Sequence, residues 1–218
     1  MEFLSEFYYT NLFNGILILL LIVIGIIYYK QLGKHKLLFL YCIIAFLQLA
    51  IAFIASIYDS DEDFSHINFS INLFVLFEFL IFNFFIFSNI INKNIRAIII
   101  LISIVFVFVL IKVWVINKGI YEHPTLLSII ESFSIITFSL FYYYENTISN
   151  SVIKFNDPSI FWAITGILIL FALMTPLLLV NEFFPHLIFS RIYVINNISY
   201  LIFYLILSYS FKCKLKST

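Results

Sequence analysis

Long apolar runs separated by short polar segments fill the chain almost from end to end. Each run is close to the roughly 20 residues that a helix needs to cross the hydrocarbon core of a bilayer. Unpaired backbone groups are very costly in lipid, so runs of this length are predicted to be helices rather than strands. The pattern predicts seven transmembrane helices, at about 11–29, 37–57, 69–90, 95–116, 124–144, 159–180 and 191–210.

The composition agrees with a membrane protein. Hydrophobic residues make up 63% of the 218 residues and charged residues only 11%, whereas soluble domains have about 25% charged residues. The connections leave no room for a soluble domain, so residues 1–218 are predicted to be one all-α transmembrane bundle. The first run lacks a small-residue cleavage site and follows Glu2 and Glu6 rather than a basic segment, so it is interpreted as a retained helix.

The positions of lysine and arginine predict the orientation of the bundle. Nine of the twelve basic residues fall at the connections after helices one, three and five and at the tail: Lys30, Lys34, Lys36, Lys93, Arg96, Lys154, Lys212, Lys214 and Lys216. Basic residues are enriched on the cytoplasmic side of membrane proteins. The N-terminus is therefore predicted to lie outside and the C-terminus in the cytoplasm, in a multi-pass protein of the plasma membrane.

Polar residues within the apolar runs are the candidates for a functional site. Glu78 lies near the middle of helix three, and Glu131 lies about two turns from the outer end of helix five. A charged side chain at the centre of a membrane helix costs roughly 2.5–3.5 kcal/mol, so both acids are expected to face the bundle interior. The candidate ligand-binding residues are Glu78, Glu131, Gln48, Asn196, Asn197 and Tyr200.

These residues also have a purely structural interpretation. Asparagine, glutamine and serine in membrane helices often serve only as hydrogen-bonding links between helices, and a buried acid can simply fix the packing. Lys112, near the outer end of helix four, could extend outward or pair with Glu131. Pro176 is expected to kink helix six.

The sequence gives little support for catalysis, a metal or a cofactor. The histidines of the outer connections, His66, His123 and His186, have no ligand spacing. Two cysteines are too few for a disulfide framework, and the zero net charge gives no reason to expect nucleic-acid binding. A lipid-modifying enzyme would require Glu78 and Glu131 to lie close enough to act as acid and base.

Three motifs carry a resemblance: Glu78-Phe79 in an aromatic-rich helix, Pro158-x-x-Phe161-Trp162 at the start of helix six, and Tyr193-x-x-Asn196-Asn197-x-x-Tyr200 in helix seven. With the short Lys212-Cys213-Lys214 tail, this pattern resembles a group of uncharacterised seven-helix membrane proteins of Bacteroidota. The resemblance implies the seven-helix topology and a bacterial inner membrane. It implies no activity and no site residues.

Three functions follow as hypotheses. The first is a non-enzymatic, receptor-like or sensory module that binds a small or lipidic ligand and acts through a membrane or cytoplasmic protein partner. The second is a small transporter or proton-coupled permease, for which acids within the membrane are expected. The third is a structural subunit whose helices pack within a larger membrane complex.

Overall fold

Seven α-helices make up most of the chain that the structure, a computed structural model, describes: residues 2–58, 65–116, 120, 125–148, 157–183 and 189–216. They are α1 (Glu2–Ile27), α2 (Lys36–Tyr58), α3 (Ser65–Phe87), α4 (Lys93–Ile111), α5 (Thr125–Ile148), α6 (Pro158–Phe183) and α7 (Phe189–Lys216). A 3-10 turn precedes α2 and a π-helical turn follows α4. The predicted all-helical class is confirmed.

Five helices are long and apolar enough to cross a membrane, within the described residues: α2, α3, α4, α5 and α6. They indicate a membrane protein. The apolar part of α1, Phe13–Ile27, is shorter than a full span, and α7 carries lysines in its last turns. The bounds of the predicted helices are right to within a few residues at most ends, but α1 begins at Glu2 and α7 extends to Lys216.

One end of the bundle, here called the basic end, gathers the connections that carry most of the lysines. Lys34 donates hydrogen bonds of 2.9 Å to the Ser88 carbonyl and of 2.9 Å to Asn89 Oδ1, which ties the α1–α2 connection to the α3–α4 connection. The Glu145 carboxylate, near the end of α5, accepts from the backbone N–H groups of Ile91 and Asn92. Successive helices therefore run up and down through the bundle.

The start of α6 and the end of α7 meet at the same end through a buried network. Asp157 caps α6 by accepting from the Ser159 N–H, 3.1 Å away, and Lys214 of α7 donates to its other carboxylate oxygen at 2.8 Å. The Ser210 hydroxyl donates to the Ser159 carbonyl at 2.7 Å. Because its single proton is used there, Ser210 accepts from His35 Nε2, 3.0 Å away.

Six of the seven helices form a closed ring in the order α1, α2, α3, α5, α6, α7, with α7 packed back against α1. Helix α4 lies outside this ring, against α3 and α5. Most of its large side chains are exposed, as expected of a helix that faces lipid on several sides. The pair α6 and α7 has the most extensive contact.

Aromatic side chains fill the centre of the ring. The Phe82 ring lies 4.6 Å from Tyr41, 5.8 Å from Phe171 and 5.9 Å from Phe203, centroid to centroid. These four residues come from α3, α2, α6 and α7 and are buried. Edge-to-face and tilted aromatic pairs at such distances contribute about 0.5–1.5 kcal/mol beyond area burial. The centre is therefore packed, and it holds the polar groups of the interior in place.

Gly25 allows α1 and α2 to approach closely, which generates a prediction. A Cβ atom at this position would collide with the Phe39 ring of α2, whereas Gly15 of the same helix has nothing within 4 Å of its Cβ position. Replacing Gly25 by alanine is expected to destabilise the protein by about 1–3 kcal/mol through overpacking. Gly15→Ala is expected to be neutral or stabilising because alanine favours helix. Denaturant unfolding of both variants in the same detergent tests this, and equal effects would contradict it.

The Asp157–Lys214 pair generates a prediction about pH. Burial would raise the pKa of the Asp157 carboxyl, but the hydrogen bonds from Lys214 and Ser159 outweigh it and hold the pKa below its ordinary value of 3.8. A depressed acid pKa gives stability that is present above the ordinary value and is lost as the pH falls through the folded-state value. Asp157→Asn should therefore lower the unfolding temperature near neutral pH and have little effect at strongly acidic pH.

Unfolding temperatures of wild type and variant across this pH range measure the effect. The control is Glu182→Gln, which changes an exposed acid at the end of α6. It should leave the unfolding temperature unchanged at every pH. A difference between wild type and Asp157→Asn that is constant with pH would contradict the prediction.

Candidate functional site

The ring contains a group of acids and phenols, here called the acid–tyrosine cluster: Tyr41 (α2), Glu78 (α3), Glu131 (α5), and Tyr200 and Tyr204 (α7). All are buried except Tyr200, which is half-buried. Glu78 is 4% exposed and Glu131 is 2% exposed. The Tyr41 hydroxyl donates to Glu78 Oε1 at 2.9 Å. The two acids come from helices that pack against each other, α3 and α5, and no hydrogen bond joins their carboxyl groups in the described structure.

The tyrosines of α7 complete the cluster. Tyr200 and Tyr204 are one turn apart, and their rings stack with centroids 6.1 Å apart. The Phe203 ring links the tyrosines of α7 to α2, because it lies 5.4 Å from Tyr204 and 5.8 Å from Tyr41, centroid to centroid. The cluster thus takes its residues from four helices.

Glu131 has an unused hydrogen-bond acceptor. Its Oε1 atom is buried and has no hydrogen-bond partner in the described structure. The nearest hydroxyls on its own helix are already committed, since Ser132 donates to the Ser128 carbonyl and Ser134 to the Ile130 carbonyl, each at 2.7 Å. A buried acceptor without a partner costs about 1–3 kcal/mol, so this atom is the feature of the interior that most requires an explanation.

A second unused acceptor lies at the same depth on α7. Asn196 Oδ1 is buried and, within the described residues, also has no hydrogen-bond partner. Asn196 lies one turn before Tyr200, and it and Glu131 each lie about two turns from the helix end opposite the basic end. These two acceptors therefore belong to one half of the bundle, whereas the other buried polar atoms without a partner among the described residues, His35 Nδ1, Asn83 Oδ1 and Ser139 Oγ, lie elsewhere.

The other predicted site residues have different surroundings. Asn197 Oδ1 accepts from Asn14 Nδ2 at 3.0 Å, so this residue links α7 to α1 rather than lining the cluster. Gln48 is half-buried on α2, and its side chain makes no hydrogen bond to the part of the chain that the structure describes. Lys112 is exposed and forms no ion pair with Glu131, which favours the alternative that it extends outward.

Tyr41 and Tyr204 are cluster residues that were not among the predicted site residues. Tyr204 shares a helix face with Asn197 and Tyr200, and Tyr41 lies one heptad before Gln48. Tyrosines near membrane interfaces are common, so a tyrosine alone gives no signal of a site. The signal that could have found them is their depth, since each lies within a helix and opposite an acid.

A metal site finds no support in the described residues, where no group of three or more potential ligands occurs. His66 is exposed. The other histidines considered from the sequence, His123 and His186, lie outside the described residues, as does the side chain of Tyr193.

A groove of about 640 Å³ lies away from the cluster, between α3 and α4. Its lining is mostly apolar and contains no predicted site residue. The lining side chains include Phe84, Phe87, Ile100, Ile104 and Phe108. At the groove, Asn83 Nδ2 donates to Ser103 Oγ at 2.7 Å, which fastens the peripheral α4 to the ring. The groove faces outward from the ring, toward the surface that lipid would cover.

No protein-family model, curated protein or solved structure matches the chain.

The hydrogen bond within the cluster gives a prediction. Tyr41→Phe keeps the ring and its packing but leaves the buried Glu78 carboxyl without its donor. The loss is expected to lower the free energy of unfolding by about 1–3 kcal/mol and to shift the infrared carboxyl band of Glu78. Tyr144→Phe is the control, because Tyr144 is 59% exposed. An equal effect in both variants, or no band shift in Tyr41→Phe, would contradict the assigned hydrogen bond.

Proposed function

We propose that the chain is a receptor-like module with seven membrane-crossing helices, which binds a small or lipidic ligand at the acid–tyrosine cluster and acts through a protein partner. The observation that carries the proposal is the free Oε1 atom of Glu131, a buried carboxyl oxygen without a hydrogen-bond partner in the described structure. Ligand sites combine a mostly apolar lining with a few placed polar groups. The cluster has that composition, since the Tyr41 side chain that donates to Glu78 is itself packed against Phe74 and Phe82.

The proposed orientation puts the basic end in the cytoplasm. The lysines at that end of the bundle belong to connections that the structure brings together, and basic residues are enriched in cytoplasmic connections. Glu131 and Asn196 then lie in the outer half of the bundle. The bacterial inner membrane is the proposed location.

Helix α7 offers a direct path from the cluster to the cytoplasmic end. Its middle carries Tyr200 and Tyr204, and its last turns carry Ser210 and Lys214, which bond to the start of α6. A helix is stiff along its axis, so a rotation or shift of α7 on ligand binding would alter both ends together. Lys212 and the neighbouring exposed lysines of the basic end would present the change to a partner.

A proton-coupled permease is the second candidate. The burial of two acids, Glu78 and Glu131, favours it, because acids within the membrane are typical of proton-coupled transporters. The closely packed aromatic centre favours the receptor, because a transported solute would need a path through those rings.

The test of the proposed function is a ligand screen on the full chain in lipid nanodiscs, with unfolding temperature as the readout. The screen covers amines, alcohols, carboxylic acids, sugars and lipids. A ligand at one hundred times its Kd is expected to stabilise the folded state by about 2.7 kcal/mol. The stabilisation should be lost in Glu78→Gln and Glu131→Gln and kept in Glu182→Gln, which removes an exposed acid of α6.

Two results would contradict the receptor. The first is the absence of stabilisation by every ligand class, with Glu78→Gln and Glu131→Gln as stable as wild type. The second is solute uptake by proteoliposomes that depends on a proton gradient and disappears in Glu78→Gln, which would establish the permease instead.

A further inference from the structure

We infer that the groove between α3 and α4 binds an anionic phospholipid, with one acyl chain in the groove and the headgroup phosphate at Arg96. The groove of about 640 Å³ is apolar apart from Asn83 and Ser103. These two side chains bond to each other, and Asn83 Oδ1 is buried rather than exposed in the groove. The groove therefore offers its occupant a mainly hydrocarbon surface, and it lies away from the acid–tyrosine cluster.

The groove has about the length of one leaflet of a bilayer. On α4 its lining runs from Ile99 to Ile111, about 18 Å at a rise of 1.5 Å per residue. The hydrocarbon core of a bilayer is about 30 Å thick, so one leaflet is about 15 Å. An acyl chain lying along α4 would cover Ile100, Ile104 and Phe108, which line the groove and are exposed.

A fixed cation lies at the basic end of the groove. Phe87 lines the groove, and the Arg96 guanidinium lies over its ring, 5.1 Å from the centroid. Arg96 Nε donates to the Ile90 carbonyl at 2.7 Å, which holds the group in place. The four N–H donors on the two terminal nitrogens have no partner in the described structure. They are therefore available to an anion at the end of the groove.

The charges around Arg96 favour an anionic headgroup. Lys93 is exposed and lies three residues before Arg96, on the same face of α4. Neither residue forms an ion pair in the part of the chain that the structure describes. Glu145, the acid that contacts the α3–α4 connection, accepts from the backbone N–H groups of Ile91 and Asn92. A phosphate can accept two parallel hydrogen bonds from an arginine, which adds both strength and orientation.

A phospholipid matches the apolar groove and the cation at once. A transmembrane helix of another protein, or of a second copy, would cover the apolar part but would need an added acid to meet Arg96. Free phosphate would meet Arg96 but would leave the groove empty. The combination of a chain and a negative headgroup is what a phospholipid supplies.

The headgroup and the chain can be tested separately by native mass spectrometry of the full chain in detergent. The probes are dioleoyl-phosphatidylglycerol and dioleoyl-phosphatidylcholine, which has the same chains and phosphate but adds a choline cation. The first phosphatidylglycerol is expected to bind about tenfold more tightly than phosphatidylcholine, a difference of 1.4 kcal/mol, because Arg96 and Lys93 repel the choline. Inorganic phosphate, which has no chain, should not displace it at equal concentration.

Charge variants connect this preference to the end of the groove. Arg96→Gln should weaken phosphatidylglycerol binding about tenfold, and Lys93→Gln about fivefold. Lys212→Gln is the control, because it removes the same charge from the basic end but on α7, which packs mainly against α6 and α1. It should change binding by less than about twofold, since distant exposed charges are screened. Arg96 also bonds to the α3–α4 connection, so Lys93→Gln tests the charge independently if Arg96→Gln does not fold.

A matched pair of variants on α4 tests the groove. Ile104→Trp fills the groove and should weaken the binding of both phospholipids by a similar factor, since the acyl chain loses its place. Leu101→Trp is the control, because Leu101 is 62% exposed and does not line the groove. It should leave both affinities unchanged. The unfolding temperature of each variant without added lipid shows that it is folded.

Several outcomes would overturn the lipid site. They are equal binding of the two phospholipids to the wild type, equal effects of Lys93→Gln and Lys212→Gln, and equal effects of Ile104→Trp and Leu101→Trp. Binding of inorganic phosphate as tight as that of phosphatidylglycerol would also overturn it, as would a lipid-free dimer that Ile104→Trp dissociates. None of these results bears on the receptor proposal, whose ligand screen concerns the acid–tyrosine cluster.

Discussion

Closure of the helix ring depends on the contact between the first and the last helix. Asn14 of α1 is buried and donates to Asn197 of α7, and the two helices pack along the same seam. Between membrane helices lipid provides no hydrophobic driving force, so close packing and interhelical hydrogen bonds hold such contacts. If this seam opened, the aromatic centre and both buried acids would face lipid or water. The burial of the two acids therefore depends on the packing and the hydrogen bond between α1 and α7, two helices that are far apart in sequence.

The basic end and the centre of the bundle contribute differently to stability. At the basic end, most polar groups have specific partners, His35 Nδ1 being an exception: Lys34 bonds to the α3–α4 connection, and Lys214 bonds to Asp157. In the centre, aromatic packing holds Glu131, whose free oxygen costs free energy. The satisfied end and the packed rings offset that cost. Proteins commonly tolerate destabilising groups where a function requires them, and the buried acid Glu131 fits this description.

The seven helices and the burial of both acids could be predicted, because lipid permits few backbone structures and penalises exposed charge. The position of α4 outside the ring could not, since its apolar surface fits a ring position as well as a peripheral one. The pairing of Asn197 with Asn14 depends on which helix faces which, and sequence spacing contains no such information. The role of Tyr41 could not be predicted for a related reason, because its hydroxyl belongs to the cluster only through its hydrogen bond to Glu78 on another helix. The sequence predicts how deep each polar residue lies within its helix, whereas the fold determines which side chains that residue contacts.

Asn196 and Asn197 show how one helix can both close the ring and leave a polar atom free inside the bundle. Successive residues of an α-helix point about 100° apart, so adjacent asparagines face different surroundings. Asn197 faces α1 and closes the ring, while the buried oxygen of Asn196 has no partner. A ligand that binds at the acid–tyrosine cluster, as proposed, would contact Tyr200 or Tyr204 and would thus act on the helix that closes the ring. The same helix carries Ser210 and Lys214 in its last turns, bonded to the start of α6. On this proposal, the rigidity of α7 would link ligand binding in one half of the bundle to contact with a partner at the basic end.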